Sequence, residues 1–134
     1  AVISKEAQHY FEALVPNVQL QMVCDDPQAL DLGIHFRIRS RTAEAATSDE
    51  DQWRQGLQEL SGGQRTLLQI SILLAVANFR PSMVVLMDEV DAALDEHNTQ
   101  RVAMMVKEMS RKMQVIAISH RPEFQKLADR VIQL

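Results

Sequence analysis

The sequence predicts an α/β fold: a mostly parallel sheet flanked by helices, preceded by an N-terminal helix and an antiparallel strand pair. Two short apolar runs, "MVVLM" (83–87) and "QVIAIS" (114–119), are typical of strands covered on both faces. Segments with helical spacing separate and follow them, and this alternation favours parallel pairing with right-handed crossovers. Ligands of such sheets gather at the carboxyl ends of the strands, so the residues after these runs are the first candidates for a site.

Composition narrows the class of protein. The 134 residues suit a single domain or a large part of one, and 46% hydrophobic with 24% charged residues is typical of a globular chain. The net charge of −4 argues against a wholly basic nucleic-acid-binding surface but permits a local patch. One cysteine, Cys24, excludes an internal disulfide and is compatible with a reducing compartment. No apolar run has the length of a bilayer span, and we expect no membrane partner.

The first part of the chain divides into three segments. Residues 1–16 show helical spacing that stops at Pro16. Residues 17–41 alternate as two strands, "VQLQMV" and "LGIHFRIR", with a turn between them. Residues 42–59 are polar and acidic and predict a variable surface loop.

Residues 60–134 follow a different pattern. An almost wholly apolar helix over about 62–79 should be buried on several sides. Asp95 is placed to cap a helix that runs to about residue 112, with its methionines in the core and an inner face of Val102, Val106 and Met109. Pro122 begins a short helix through Leu127, and "RVIQL" predicts a last strand.

The stretch "LSGGQ" sets two glycines at the start of the apolar helix. Ser61 and Gln64 have the spacing of a capping box, and a capped helix start offers free N–H groups to an anion. Glycine there costs backbone entropy, so a close approach to this turn is one explanation. A capped turn without a ligand is the other.

Charged residues follow both apolar runs. Asp88 and Glu89 come directly after the first, and His120 directly after the second. Carboxylates at a buried strand end are costly unless they are paired or bind a cation, and Asp88 suits Mg²⁺ shared with a phosphate. Glu89 could then orient or deprotonate a water. A salt-bridged strand terminus and a structural histidine are the alternatives.

These stretches, in this order, resemble the ATP-binding-cassette class of ATPases. "LSGGQ" is similar to the signature motif, "MVVLMDE" to Walker B, "AALD" to the D-loop, and His120 to the switch histidine. No G-x-x-x-x-G-K-[ST] phosphate loop occurs in the 134 residues.

Within that class the chain resembles the SMC (structural maintenance of chromosomes) family over nearly its whole length. Its stretch "DEVDAALD" has Val90 and Asp91 after the Walker B glutamate, where the transporters of this class usually have proline and threonine. Residues 1–16 would be the end of the coiled-coil neck, and residues 1–134 the C-terminal lobe of a P-loop NTPase head. The missing loop then belongs to the N-terminal half. Alternatives are a transporter nucleotide-binding domain, a coiled-coil ATPase of double-strand-break repair, and a head that no longer hydrolyses ATP.

The resemblance implies ATP and Mg²⁺ as cofactors and a role for each site residue. Asp88 would hold Mg²⁺ through water, Glu89 would be the general base, and His120 would contact the γ-phosphate. The signature residues would meet the ATP of a second head, and the D-loop would connect the two sites; these are Leu60, Ser61, Gly62, Gly63 and Gln64, then Ala92, Ala93, Leu94 and Asp95.

The resemblance also implies partners and a location. The partners would be the N-terminal half of the same head, a second SMC head, a kleisin subunit and DNA, and the location intracellular and chromosome-associated. Arg37, Arg39 and Arg41 share a strand face and could touch DNA phosphates, although a solvated face explains them equally well. Arg121 and Trp53 are expected to be surface residues.

Overall fold

The computed structural model describes residues 2–23, 34–40, 53–55, 57–81 and 83–133. In the first part of the chain, α1 is followed by three strands and a 3₁₀ turn at Leu57–Glu59. In the second part, helices and strands alternate as the sequence predicts. The elements in order are α1 (Val2–Leu14), β1 (Val18–Val23), β2 (His35–Ser40), β3 (Arg54–Gln55), α2 (Gly62–Phe79), β4 (Val84–Asp88), α3 (Glu96–Met109), β5 (Gln114–Ile118) and α4 (Pro122–Leu127).

Strands β1, β2 and β3 form an antiparallel sheet in that order. Leu20 pairs with Ile38, and both side chains are buried in the core, which confirms the predicted strand pair. The prediction of a loop at Arg54–Gln55 was wrong, because these residues satisfy their backbone groups by pairing with β2. Arg41, Cys24 and most of the predicted 42–59 loop lie outside the described residues.

Strands β4 and β5 pair in parallel, so the predicted parallel pairing is confirmed. The prediction that both faces are covered was wrong. Met87 is buried on the core side, whereas the other face presents a set of exposed apolar side chains, which we call the open face: Val84, Leu86, Ile116 and Ile118. Parallel sheets are normally buried on both faces, so this surface is unusual for its class.

Helices α1, α2 and α3 enclose the core. Phe11, Leu74 and Val102 are fully or almost fully buried there. The predicted inner face of α3 is confirmed, and Asp95 caps the helix by accepting a hydrogen bond from the Asn98 N–H at 2.8 Å.

Three expectations for these helices need correction. The helix α3 ends at Met109 rather than near residue 112, where turns replace it. Met104 is 58% exposed, because it lies on the outer side of α3, so not all of that helix's methionines belong to the core. Helix α2 is buried along one side, but its opposite side leaves Leu73, Val76 and Phe79 exposed.

The C-terminal segment is only partly as predicted. Pro122 lies in the first turn of α4, as expected. The predicted strand "RVIQL" was wrong over 130–133, where Val131 and Ile132 are exposed and pair with no other described strand, while Leu134 lies outside the described residues. Among the helices described, none combines the length and apolar character needed to cross a bilayer.

Candidate functional site

The "LSGGQ" stretch forms a capped helix start. The Ser61 hydroxyl accepts a hydrogen bond from the Gln64 N–H at 3.2 Å, and the Gln64 side-chain oxygen accepts one from the Ser61 N–H at 3.0 Å. This is the predicted capping box, and it is confirmed. Leu60 is buried and fixes the turn to the core. Its carbonyl accepts from the Arg65 guanidinium at 3.1 Å, so the turn is held at both ends.

The chain's own packing does not require either glycine. A Cβ on Gly62 would meet nothing within 4 Å, and one on Gly63 would lie 3.5 Å from the Ala93 carbonyl, an ordinary contact. Neither glycine adopts a left-handed backbone. The bare backbone at Gly62 therefore serves no contact within the described residues. It leaves an open surface at the positive end of α2.

Asp88, Glu89 and His120 come together at the carboxyl ends of β4 and β5. Asp88 pairs with Ile118 in the sheet register, and the Glu89 N–H donates to the Ile118 carbonyl at 2.9 Å. Nε2 of His120 lies 3.0 Å from a Glu89 carboxylate oxygen. The predicted neighbours therefore share one edge of the sheet, and the carboxylate and the imidazole form a pair that is open to solvent.

Glu89 has a left-handed backbone with φ 45°. For a non-glycine residue this conformation costs about 1–3 kcal/mol. The N–H bond to Ile118 and an accepted bond from the Ala92 N–H at 3.1 Å hold it. The Glu89 side chain that follows this turn lies beside His120.

The predicted D-loop is a compact turn between this pair and α3. Ala92 and Ala93 are exposed, Leu94 is buried, and Asp95 is the exposed cap of α3. The contact between the Gly63 position and the Ala93 carbonyl places the start of α2 against this turn. The glycine stretch and the turn after β4 thus form adjoining surfaces.

A hydrogen-bonded chain, buried at Asp91, links the turn after β4 to the residues on either side of His120, and the sequence did not reveal it. Asp91 is 2% exposed and accepts from the Ser119 hydroxyl at 2.5 Å. That hydroxyl accepts from the Arg121 N–H at 2.9 Å, and the Arg121 guanidinium donates to the Leu94 carbonyl at 3.0 Å. Arg121 was expected to be a surface residue, and this was wrong because its head group is held by the turn. The one signal in the sequence was the presence of a carboxylate, Asp91, two residues after Glu89. Nothing in the surrounding sequence indicates that this carboxylate is buried.

The fit of these residues to a metal ion can be judged from the donors present. Among the described residues, no group of three or more His, Cys, Asp or Glu side chains is placed to hold a metal alone. Asp88 is exposed, and its carboxylate has no hydrogen-bond partner among the residues that the structure describes. A single free carboxylate fits Mg²⁺, which usually keeps several waters and shares substrate phosphates.

The strand face with the predicted DNA-contacting arginines is partly occupied. The Arg39 guanidinium donates from two nitrogens to the Gln19 side-chain oxygen and lies 5.1 Å from the Trp53 ring centroid. Trp53 therefore packs against Arg39 and is half-buried rather than a plain surface residue. Arg37 is half-buried on the same face, and Arg41 lies outside the described residues.

Solved structures similar to this chain include SMC head domains. A structure from work on the ATP-driven dimerization and DNA-stimulated activation of SMC ATPases matches with a TM-score of 0.77 and 27% identity, over 98% of this chain and 75% of that one. The Smc head domain of Pyrococcus furiosus, with an extended coiled coil and bound to the C-terminal domain of ScpA, gives 0.77 and 28%, over 96% of this chain and 30% of that one. The fold is that of an SMC ATPase head domain.

The chain belongs to the RecF/RecN/SMC N terminal domain family, which it matches over residues 3–134. Structural maintenance of chromosomes protein 2 of Gallus gallus is 32% identical over 117 residues, or 87% of this chain and 9% of that protein. Chromosome partition protein Smc of Aquifex aeolicus is 30% identical over 131 residues, or 97% of this chain and 11% of that protein. The chain thus spans only a small part of the length of these relatives.

Proposed function

We propose that this chain is the C-terminal half of an SMC ATPase head. Joined to an N-terminal half that carries the Walker A loop, it binds and hydrolyses ATP between two engaged heads and drives chromosome or DNA organisation or repair. The observation that carries the proposal is the Glu89–His120 pair at the ends of two parallel strands, 3.0 Å apart. The matched family is described as an N-terminal domain, so the choice of half depends on the motifs: the signature, Walker B and D-loop are present, and the phosphate loop is not.

The open face supports a missing half. It presents four apolar side chains of a parallel sheet to water, with Leu86 73% exposed. The register places Asp88 on this same face, at its carboxyl end, because Leu86 pairs with Ile116 and Asp88 with Ile118. A segment that covered the open face would therefore reach Asp88 as well. This is the place where a phosphate loop has to meet the Walker B carboxylate.

Each residue of the pair has a separate task in hydrolysis. Mg²⁺, when bound with ATP, would neutralise charge on the phosphates, with Asp88 holding the ion through water. The Glu89 carboxylate orients the attacking water and accepts its proton. His120 donates from a ring nitrogen toward the γ-phosphate oxygens, where negative charge must be stabilised. Nε2 of His120 lies against Glu89 in the structure, so a phosphate that binds this nitrogen would compete with the Glu89 contact.

The bare start of α2 is proposed to serve a second head. The open space at Gly62 permits a phosphate of the partner's ATP to approach the N–H groups of the capped helix. The Ala93 carbonyl adjoins Gly63, which brings the D-loop next to the same surface. Because relatives of known structure are described in terms of dimerization, binding to ScpA and stimulation by DNA, we extend to this chain a second head, a kleisin subunit and DNA as partners.

The proposal is tested by separating binding from turnover in the complete protein. Glu89→Gln should preserve ATP binding, stop hydrolysis and accumulate an ATP-bound dimer, because water activation is lost while the phosphate contacts remain. Asp88→Asn should instead weaken Mg²⁺-dependent nucleotide binding. Glu96→Gln, the same change as Glu89→Gln on an exposed residue at the start of α3, is the matched control and should change neither. Equal loss of ATP affinity in the Asp88 and Glu89 variants would contradict these roles.

A further inference from the structure

The Glu89–His120 pair is too exposed to hold its own geometry. The side chains are 53% and 87% exposed, and ion pairs in that setting contribute little because water and salt screen them. Their relative position must therefore be set by the backbone that carries them. On the Glu89 side, the N–H bond to the Ile118 carbonyl does this. His120 follows β5 and needs a restraint of its own.

The hydrogen-bonded chain from Asp91 to Arg121 supplies that restraint. Ser119 and Arg121, the residues on either side of His120, are both tied to the turn after β4. The Ser119 hydroxyl donates to Asp91, and the Arg121 guanidinium donates to the Leu94 carbonyl. The Ser119 hydroxyl also accepts from the Arg121 N–H, which closes the loop around His120. His120 is thus held between two anchored neighbours.

Asp91 carries a cost that packing alone does not explain. Its carboxylate is withdrawn from water, and a buried carboxylate is unfavourable unless it is hydrogen-bonded. An apolar residue of similar size would avoid that cost, but it would leave the Ser119 hydroxyl without its acceptor. The backbone carbonyl of Asp91 also accepts a hydrogen bond from the Leu94 N–H at 3.0 Å. Asp91 therefore shapes the D-loop through its backbone and anchors the residues around His120 through its side chain.

We propose that Asp91, acting through Ser119, is a positioning residue that fixes the loop bearing His120 against Glu89 and against the turn of residues 92–95. The inference depends on the proposed ATPase function. It adds to that function a hydrogen-bonded connection between two parts of the site. One part is His120, which would contact the nucleotide of its own head, and the other is the turn of residues 92–95, which would face the second head. Neither Asp91 nor Ser119 touches the substrate in this account.

The test is a double-mutant cycle on ATP hydrolysis by the complete protein. Ser119→Ala removes the link and should lower kcat on the order of tenfold to a hundredfold with little change in KM for ATP, because misplacement of a reacting group affects turnover most. In a His120→Ala background the same change should have no further effect, since there is no imidazole left to position. Ser119→Thr, which keeps the hydroxyl, should restore turnover.

Ser71→Ala is the matched control. It removes a buried hydroxyl that donates to the Leu67 carbonyl within α2, and it should leave kcat unchanged. Asp91→Asn is a second, milder variant, which keeps an acceptor oxygen but not its charge. It should give an intermediate kcat, and again no additional loss without His120. Losses from Ser119→Ala and His120→Ala that multiply would overturn the inference and leave only a stabilising role.

The ATPase activity and the positioning role of Asp91 can be disproved separately. If the complete wild-type protein does not hydrolyse ATP, or if His120→Ala does not slow it, the proposed function itself is wrong. If His120→Ala slows hydrolysis while Ser119→Ala and Asp91→Asn do not, the proposed function stands and only the positioning role of Asp91 is wrong.

Discussion

The carboxylate of Glu89 lies 3.0 Å from Nε2 of His120, at the ends of two strands whose neighbouring face is open and apolar. An exposed pair of this kind contributes little to stability, so its geometry must be set by the surrounding chain. Here it is imposed by a left-handed backbone at Glu89 and by the hydrogen-bonded chain from Asp91 to Arg121. The backbone of the site is thus anchored by hydrogen bonds while its side chains are exposed, which suits a surface completed by other parts of a head.

The first prediction concerns completeness. The 134 residues contain no phosphate-cradling loop, so this chain alone should bind Mg-ATP weakly or not at all. Addition of the N-terminal head segment should restore binding, measured by isothermal titration calorimetry. Tight binding of Mg-ATP by the isolated chain would refute the split-head account.

The second prediction concerns the open face. Leu86→Lys should prevent the N-terminal segment from joining this chain, because a charge would then be buried in an apolar contact. The fold of this chain should survive, since Leu86 is exposed in it. Met104→Lys, on the outer side of α3, is the matched control and should not affect assembly. Co-purification of the two segments measures the effect, and normal assembly of the Leu86 variant would show that the open face is covered by something else.

The third prediction concerns Gly62. A Cβ at this position meets nothing within 4 Å, and alanine is the better helix former, so Gly62→Ala should keep or raise the melting temperature. ATP-dependent dimerisation of heads should nevertheless weaken, because the added methyl group narrows the approach of the partner's phosphate. Analytical ultracentrifugation with and without ATP distinguishes the two effects. Unimpaired dimerisation would mean that the glycines form only a turn.

The fourth prediction concerns DNA. The Arg39 side chain is engaged with Gln19 and Trp53, whereas the Arg37 side chain makes no hydrogen bond or ion pair to the residues described. If this strand face contacts phosphates, Arg37→Gln in the complete protein should weaken DNA binding uniformly across sequences and reduce its salt dependence by about one ion. Arg39→Gln should act mainly through lost packing and lower the melting temperature. An unchanged salt dependence in the Arg37 variant would favour a solvated face.

Local patterns predicted much of the fold. The capping box, the Asp95 cap, the first turn at Pro122 and the strand pair followed from short-range spacing, and the structure has all of them. The predictions that failed concern features that depend on contacts between residues far apart in the sequence. The open face was predicted to be covered because an apolar strand does not show which of its sides the chain itself can bury. Arg54–Gln55 was predicted as a loop because only β2 makes it a strand.

Some residues of the candidate site could likewise be identified from the sequence, and others could not. Asp88, Glu89 and His120 were identified from their positions directly after strands, and their roles stay predictions. Asp91 was not identified as part of the site, because its burial and its contact with Ser119 join residues 28 positions apart in the chain. No periodic pattern marks such a contact. The same holds for Arg121, whose partner is a backbone carbonyl of a distant turn.

The central claim is that the signature of one head completes the ATP site of another, and mixing two inactive heads tests it most directly. Ser61→Arg would remove a cap worth about 1 kcal/mol, so the fold should survive, but the long cation should block the partner's phosphate. A Ser61→Arg head mixed with a Glu89→Gln head still forms one site with an intact signature and a wild-type glutamate. We expect partial ATP turnover in the mixture and none in either variant alone. No turnover in the mixture, or normal ATP-dependent dimerisation of Ser61→Arg heads, would contradict the account.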